Sequence, residues 1–132
     1  MKWTMPGTAD LLNIGQARLK EWVGKGYIIP DVPSMGSGRP AQYDINNLYE
    51  VKILEHLTDR GLARDKGGQI INSLNKDKAL KSDFLGVFND GKKIECRYYN
   101  DMGNVMLDSK IKDIIFVNLK AIRAEVDRLT DE

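Results

Sequence analysis

Apolar residues recur at intervals of three and four through the first sixty positions of the chain, a spacing that predicts amphipathic helices. A first helix of about two turns follows Thr4, because threonine is favoured at the N-cap. Asn13 then favours a tight reversal, since asparagine tolerates the left-handed backbone that such turns often need. A second helix runs from about Gln16 to Lys25 and ends at Gly26. The pattern therefore predicts two short helices joined by a tight turn.

A loop and a third helix follow the helical pair. Residues 31–43 contain two Pro, two Gly and two Ser, which predicts a loop without a core of its own. Asp44 suits the N-cap of a third helix, which ends at Arg60–Gly61. Residues 62–74 contain a weaker helical pattern, and Gly67–Gly68 are expected to interrupt this fourth helix.

The second helix has polar residues on the side opposite its apolar residues. Gln, Arg and Lys side chains are suited to the base edges and phosphates of a DNA major groove. Near the tip of the loop, Arg39 could reach a phosphate, and Tyr43 either fills the space under the loop or touches phosphate. The candidate DNA-binding residues are Gln16, Arg18, Lys20, Lys25, Arg39 and Tyr43.

After a charged connector at residues 74–82, the pattern changes from helical spacing to alternation in the sequence FLGVF-NDGK-KIECRYY. Asp90–Gly91 is a favoured two-residue turn between antiparallel strands, so this segment predicts a β-hairpin. The turn sets a register that places Val87 opposite Ile94 and Leu85 opposite Cys96.

Two further strands and a final helix complete the predicted elements. The strands are expected at 105–107 and 113–117, and Asn118 suits the N-cap of the helix. Four apolar residues of this helix recur at the spacing of a helical seam. The seam is a candidate dimer interface, and packing on the chain's own sheet is the alternative. Its residues are Leu119, Ile122, Val126 and Leu129.

Three segments together resemble the DNA-binding domain of the MerR family of bacterial transcription regulators: RLKEWVGKGYIIP, GRPAQYD and INNLYEVKILEHLTDRGL. The opening TMPGTADLLNI is also similar to the start of excisionase-type winged helices. The resemblance covers about residues 4–62, and it places Lys20 where the family has an arginine that touches DNA. It implies a winged helix-turn-helix that binds double-stranded DNA as a homodimer on two half-sites, with RNA polymerase as a further candidate partner.

The predicted fold class is α+β. Residues 1–73 are expected to form the winged helix-turn-helix, and residues 74–82 a connector. Residues 83–132 are expected to form a small antiparallel β-sheet with a C-terminal helix, for dimerisation or sensing.

Composition and charge narrow the function classes. The chain has 132 residues, of which 42% are hydrophobic and 30% charged, as in an ordinary globular protein. No apolar run approaches the ~18 residues of a membrane span, and the expected location is the cytoplasm. Cys96 and His56 are the only residues of their types, so neither a metal site nor a cofactor is expected. No nucleophile is paired with a base, which argues against an enzyme.

Net charge is close to neutral in both parts of the chain. Residues 1–73 carry nine Lys and Arg against eight Asp and Glu, and residues 74–132 carry eleven of each. Because a local group of cations suffices for phosphate contacts, we expect a monomer to bind DNA modestly and a dimer to bind it tightly.

Two other function classes stay open. One is an excisionase-like or architectural protein that bends DNA. The other is a winged-helix protein-interaction module without DNA binding. Burial or intramolecular pairing of Arg18 and Lys20 would argue against the DNA interface.

Overall fold

The computed structural model describes residues 1–36, 38–89, 93–101, 103 and 114–131. The first helix, α1, spans Met5–Leu12, and the Thr4 hydroxyl caps it by accepting from the Gly7 N–H. Asn13 adopts the left-handed conformation, with φ 54° and ψ 45°, and the second helix, α2, spans Gln16–Gly24. These observations confirm the predicted pair of helices and its turn.

Three further helices follow in sequence, confirming the third and fourth. Helix α3 spans Ile45–Asp59, begins with the predicted Asp44 cap and ends at Arg60. Helix α4 spans Arg64–Ser73, and the short helix α5 spans Lys76–Lys81 within the predicted connector.

The expectation that Gly67–Gly68 interrupt α4 is wrong. Both glycines lie inside the helix and are buried. A Cβ atom at Gly67 would lie 2.7 Å from Leu54, and one at Gly68 would lie 2.1 Å from the Tyr27 ring. The glycines therefore allow α4 to approach α3 and Tyr27 closely, and this packing offsets their low helix propensity of about 1 kcal/mol each.

Among the described residues, the sheet has three antiparallel strands in the order β2-β1-β3: β1 spans Phe84–Asn89, β2 spans Ile94–Tyr99 and β3 spans Ile114–Asn118. The predicted hairpin register is wrong by two residues, since Val87 lies opposite Cys96 and Leu85 opposite Tyr98. Four residues separate the paired ends of β1 and β2, whereas the prediction assumed a two-residue turn. Because the shift is even, each side chain keeps its predicted face.

Some of the other predicted elements lie in described residues and some do not. The predicted turn at 90–91 and the predicted strand at 105–107 lie outside the described residues. Strand β3 confirms the strand expected near 113–117. The final helix, α6, spans Leu119–Thr130, and the Asn118 side chain caps it by accepting from the Ala121 N–H.

The two faces of the sheet pack against different residues. One face adds Leu85, Val87 and Val117 to the apolar core that also contains buried residues of the four longer helices before it. On the other face Phe88 and Tyr99 are buried with further apolar residues around them. The chain is thus α+β with one continuous main core, and the division at residues 74–82 stays a prediction.

Polar contacts fasten α6 to the rest of the chain. The Tyr49 hydroxyl donates to the Asp127 carboxylate at 2.5 Å, and the Arg123 guanidinium donates to the carbonyl oxygens of Ala79 and Ser82 at 2.6 and 2.9 Å. Beneath them, α6 packs mainly on α3 and also on α1. No helix that the described ranges contain is both long and apolar enough to cross a membrane.

We predict that Gly68→Ala lowers the free energy of unfolding by about 1–3 kcal/mol, because the new methyl group overlaps the Tyr27 ring. Urea unfolding measures the change. The matched control is Gly24→Ala in α2, where an added Cβ meets nothing within 4 Å and helix propensity favours alanine by up to ~1 kcal/mol. An equal loss of stability in both variants would contradict the packing role of Gly68.

We also predict a loss of stability at alkaline pH that depends on Tyr49. Burial and the hydrogen bond to Asp127 raise the pKa of Tyr49 from 10.0 to about 12. Between these values the unfolded chain loses the Tyr49 proton first, so this contribution is complete below pH 10 and declines as pH rises towards 12. The difference in unfolding free energy between wild type and Tyr49→Phe should therefore shrink over that interval. A difference independent of pH would contradict the assignment.

Candidate nucleic-acid interface

The exposed side of α2 carries three of the candidate residues. Leu19 and Trp22 are fully buried on the opposite side, which fixes the rotation of the helix. Gln16 and Lys20 are exposed on α2, and Lys25 is exposed at its C-cap. Within the described ranges, no hydrogen bond or ion pair engages these three side chains. They are therefore available to an external partner.

Arg18 is placed differently, because its guanidinium turns towards α3. It donates to the Thr58 hydroxyl at 2.8 Å and lies 3.5 Å from an Asp59 carboxylate oxygen and 3.9 Å from one of Glu55. It also lies 4.7 Å from the centre of the Trp22 ring, a cation–π distance. Arg18 thus joins α2 to α3 and is not free to meet DNA in this conformation.

Arg18 and Lys20, the two residues that bear most on the DNA interface, are therefore placed differently. Arg18 is paired within the chain, whereas Lys20 is exposed. The acidic residue on the same helix, Glu21, forms an ion pair with Arg64 at the start of α4. This pairing offsets the negative charge beside Lys20.

Residues 31–36 and 38–43 run out and back in a hairpin-like arrangement. Two backbone hydrogen bonds join Val32 and Gln42, at 3.0 and 2.8 Å. Gly36 and Gly38 have φ of 89° and 90° at the tip, a conformation that favours glycine. Arg39 and Met35 are exposed there, and no described group pairs with the Arg39 side chain. The loop thus presents one cation at its tip.

Tyr43 lies at the base of this loop and is fully buried. Its backbone pairs with Trp3 through hydrogen bonds of 2.9 and 2.8 Å, which ties the loop to the segment before α1. Of the two alternatives for Tyr43, the structure supports the one in which it fills the space under the loop. Its side chain is not part of the exposed surface.

The sequence did not point to Asn47, although it positions the loop. Asn47 is buried in the first turn of α3. Its Oδ1 accepts from the N–H groups of Asp31 and Asp44 at 2.9 and 3.1 Å, and its Nδ2 donates to the Ile29 carbonyl oxygen at 2.8 Å. One amide thus holds both ends of the loop on α3. The spacing Asp44-x-x-Asn47 of a capping box was the available signal.

The four candidate dimer residues lie against the chain's own core. Leu119 and Val126 are buried there, and Ile122 and Leu129 are half-buried against it. This arrangement corresponds to the alternative in which α6 packs within its own chain, and α3 is its main neighbour. The apolar seam of α6 is therefore largely occupied within one chain.

Groups suited to other chemistry are sparse in the described part of the chain. No three His, Cys, Asp or Glu side chains there are grouped closely enough to hold a metal ion. Burial raises the pKa of the Cys96 thiol, which disfavours the reactive thiolate. The exposed side of α2 and the tip of the loop are therefore the best candidate site.

We predict that Asn47→Ala lowers the free energy of unfolding by about 2–4 kcal/mol, because the backbone groups of Ile29, Asp31 and Asp44 each lose a partly buried hydrogen bond worth about 1 kcal/mol. The matched control is Asn46→Ala, since no described hydrogen bond involves the neighbouring Asn46 side chain. Amide hydrogen exchange should also accelerate at Asp31 and Asp44 in the Asn47 variant. Unchanged protection at both amides would show that Asn47 does not hold the loop.

Comparison with known proteins did not assign a family. No protein-family model matches the sequence, and a search of curated proteins found no significant match.

Proposed function

We propose that the chain is a sequence-specific, double-stranded-DNA-binding transcription regulator of MerR-like type. In this proposal α1 and α2 form a helix-turn-helix, and residues 31–43 form its wing. The observation that carries the proposal is the exposed side of α2, where Gln16, Lys20 and Lys25 have no described partner. The order of helices, loop and α3 also agrees with the resemblance of the sequence to that family.

Helix α2 would enter the major groove with its exposed side towards the bases. A groove about 12 Å wide admits one α-helix. A glutamine amide can pair with adenine, and a lysine can donate to guanine O6 and N7, which gives Gln16 and Lys20 roles in base recognition. Ala17 and Gly24 are also exposed, and their small size would let the helix approach the base edges.

Phosphate contacts would come from cations beside the groove. Lys25 lies at the end of α2 and Arg39 at the tip of the wing, and both are exposed. Contacts of this kind orient a protein on DNA without reading sequence. The Glu21–Arg64 ion pair supports the same role, since an unpaired carboxylate beside Lys20 would repel the backbone.

Arg18 would act as a positioning residue. Its contacts with Thr58, Glu55 and Trp22 fix the rotation of α2 relative to α3. Base recognition requires such fixed geometry. We therefore assign DNA contact to Lys20 and support of the helix to Arg18. The role implies access to cellular DNA, so the cytoplasm remains the expected location.

The test is a binding titration on a pool of random duplexes over a series of salt concentrations. Lys20→Gln should weaken binding to the selected sequence by about 1–3 kcal/mol and relax its specificity. Arg39→Gln should weaken binding to all sequences and reduce the slope of log affinity against log salt by about 0.9.

The matched control is Lys120→Gln, which removes another exposed lysine, from α6, and should leave binding unchanged. Failure of the wild-type chain to bind any duplex at low salt would overturn the proposal. So would equal losses in the Lys20 and Lys120 variants, which would indicate attraction by overall charge alone.

A further inference from the structure

The tip of the wing carries an exposed apolar side chain. Met35 is 68% exposed, and it is one of the four large apolar side chains that are exposed among the described residues. The other three, Met1, Ile29 and Leu80, lie outside the wing. A single exposed apolar residue is ordinary on a protein surface, so the significance of Met35 depends on how the chain holds it.

Hydrogen bonds give the tip a defined conformation. The N–H of Met35 donates to the carbonyl oxygen of Arg39 at 3.3 Å, and the N–H of Arg39 donates to the carbonyl oxygen of Gly36 at 3.4 Å. The Ser34 hydroxyl also donates to the carbonyl oxygen of Arg39, at 3.2 Å. The backbones of Met35 and Arg39 therefore lie side by side where the tip begins and ends.

The base of the wing is held as well. Two backbone hydrogen bonds pair Val32 with Gln42, and Asn47 holds the ends of the wing at Asp31 and Asp44. A side chain that separates stacked base pairs works against their stacking energy, and a loosely held loop would move instead. The wing is therefore a suitable support for such a side chain.

The tip is also narrow and carries no negative charge. Gly36 and Gly38 lack side chains, and the minor groove of B-form DNA is only about 6 Å wide. Residues 32–43 contain no Asp or Glu, and Arg39 is their only charged residue. The acidic residue just before them, Asp31, forms an ion pair with Lys2 at 2.7 Å. The tip can therefore enter a groove between phosphates without repulsion.

We propose that Met35 enters between two base pairs from the minor groove and kinks the duplex, with Arg39 bound in the same groove. Methionine is unbranched and adaptable, and it is among the side chains that separate base pairs in proteins that bend DNA. A guanidinium is attracted by the negative potential of a narrow minor groove. The inference rests on the proposed function and deepens it, because it names the kind of DNA that the wing recognises.

That DNA is a duplex with a pyrimidine–purine step beneath the wing. Such steps are the most easily kinked and unstacked, so they oppose the entry of Met35 least. Helix α2 reads base edges through Gln16 and Lys20, whereas the wing reads the deformability of one step. Sequences selected from a random pool should therefore share a pyrimidine–purine step at a fixed distance from the positions that α2 reads.

The first test measures the bending of the selected duplex. Energy transfer between dyes at its two ends should report a kink of about 20–90° with the wild-type chain. Met35→Ala should remove most of the kink, and Met35→Leu should retain it, because leucine also separates base pairs. The matched control is Ile29→Ala, which removes an apolar side chain of similar exposure, 64%, outside the wing. It should leave the kink unchanged.

The second test places a mismatched base pair at the selected pyrimidine–purine step. A mismatch lowers the cost of unstacking, so the wild-type chain should bind the mismatched duplex about tenfold more tightly than the paired one. Met35→Ala should bind the two duplexes equally, because alanine is too short to separate base pairs. A purely structural role of Met35 would weaken binding to both duplexes and leave the preference intact.

The outcomes separate this inference from the function on which it rests. Failure to bind any duplex overturns both. A chain that selects a sequence but leaves the duplex straight, or whose kink persists in Met35→Ala, overturns the insertion of Met35 alone. A kink and a mismatch preference that both depend on Met35 support it. Thermal unfolding of the Met35 variants should match that of the wild type, since the side chain is exposed.

Discussion

The placement of the candidate interface depends on one buried amide. Asn47 satisfies backbone groups on both sides of the loop, at Ile29, Asp31 and Asp44, from a fixed position on α3. Each of these partly buried hydrogen bonds contributes about 1 kcal/mol, so together they favour one path for the chain. The pairing of Trp3 with Tyr43 then joins the end of the loop to the start of α1. The loop is thereby held by two separate elements.

The orientation of α2 is also fixed by contacts within the chain. Its buried side is set by Leu19 and Trp22, and Arg18 adds polar contacts to α3 at the edge of that side. A charged residue on a helix with a polar face was expected to meet a partner outside the chain. In the structure it meets two carboxylates that are distant in the sequence, because α3 presents Glu55 and Asp59 beside it. Lys20, two positions later, remains exposed.

Local interactions could be predicted from the sequence, and contacts between distant segments could not. Thr4, Asp44 and Asn118 cap helices through bonds that span three residues, so their pattern is visible in the sequence. The role of Gly68 depends on a ring forty-one positions earlier, at Tyr27, and its low helix propensity alone predicted the opposite. The alternation of apolar and polar residues correctly predicted which face of the hairpin each side chain occupies. It did not fix the number of residues between the strands, on which the register depends.

Helix α4 connects the cleft beside β2 to α2. At its start Arg64 pairs with Glu21 of α2, and near its end the Asn72 amide donates to the carbonyl oxygen of Gly26 at 3.0 Å. Its Ile70 and Ser73 line the cleft beside β2. A displacement of α4 would therefore act directly on the segment that ends α2. Coupling through packed elements needs such contiguous contacts, and here a single helix supplies them.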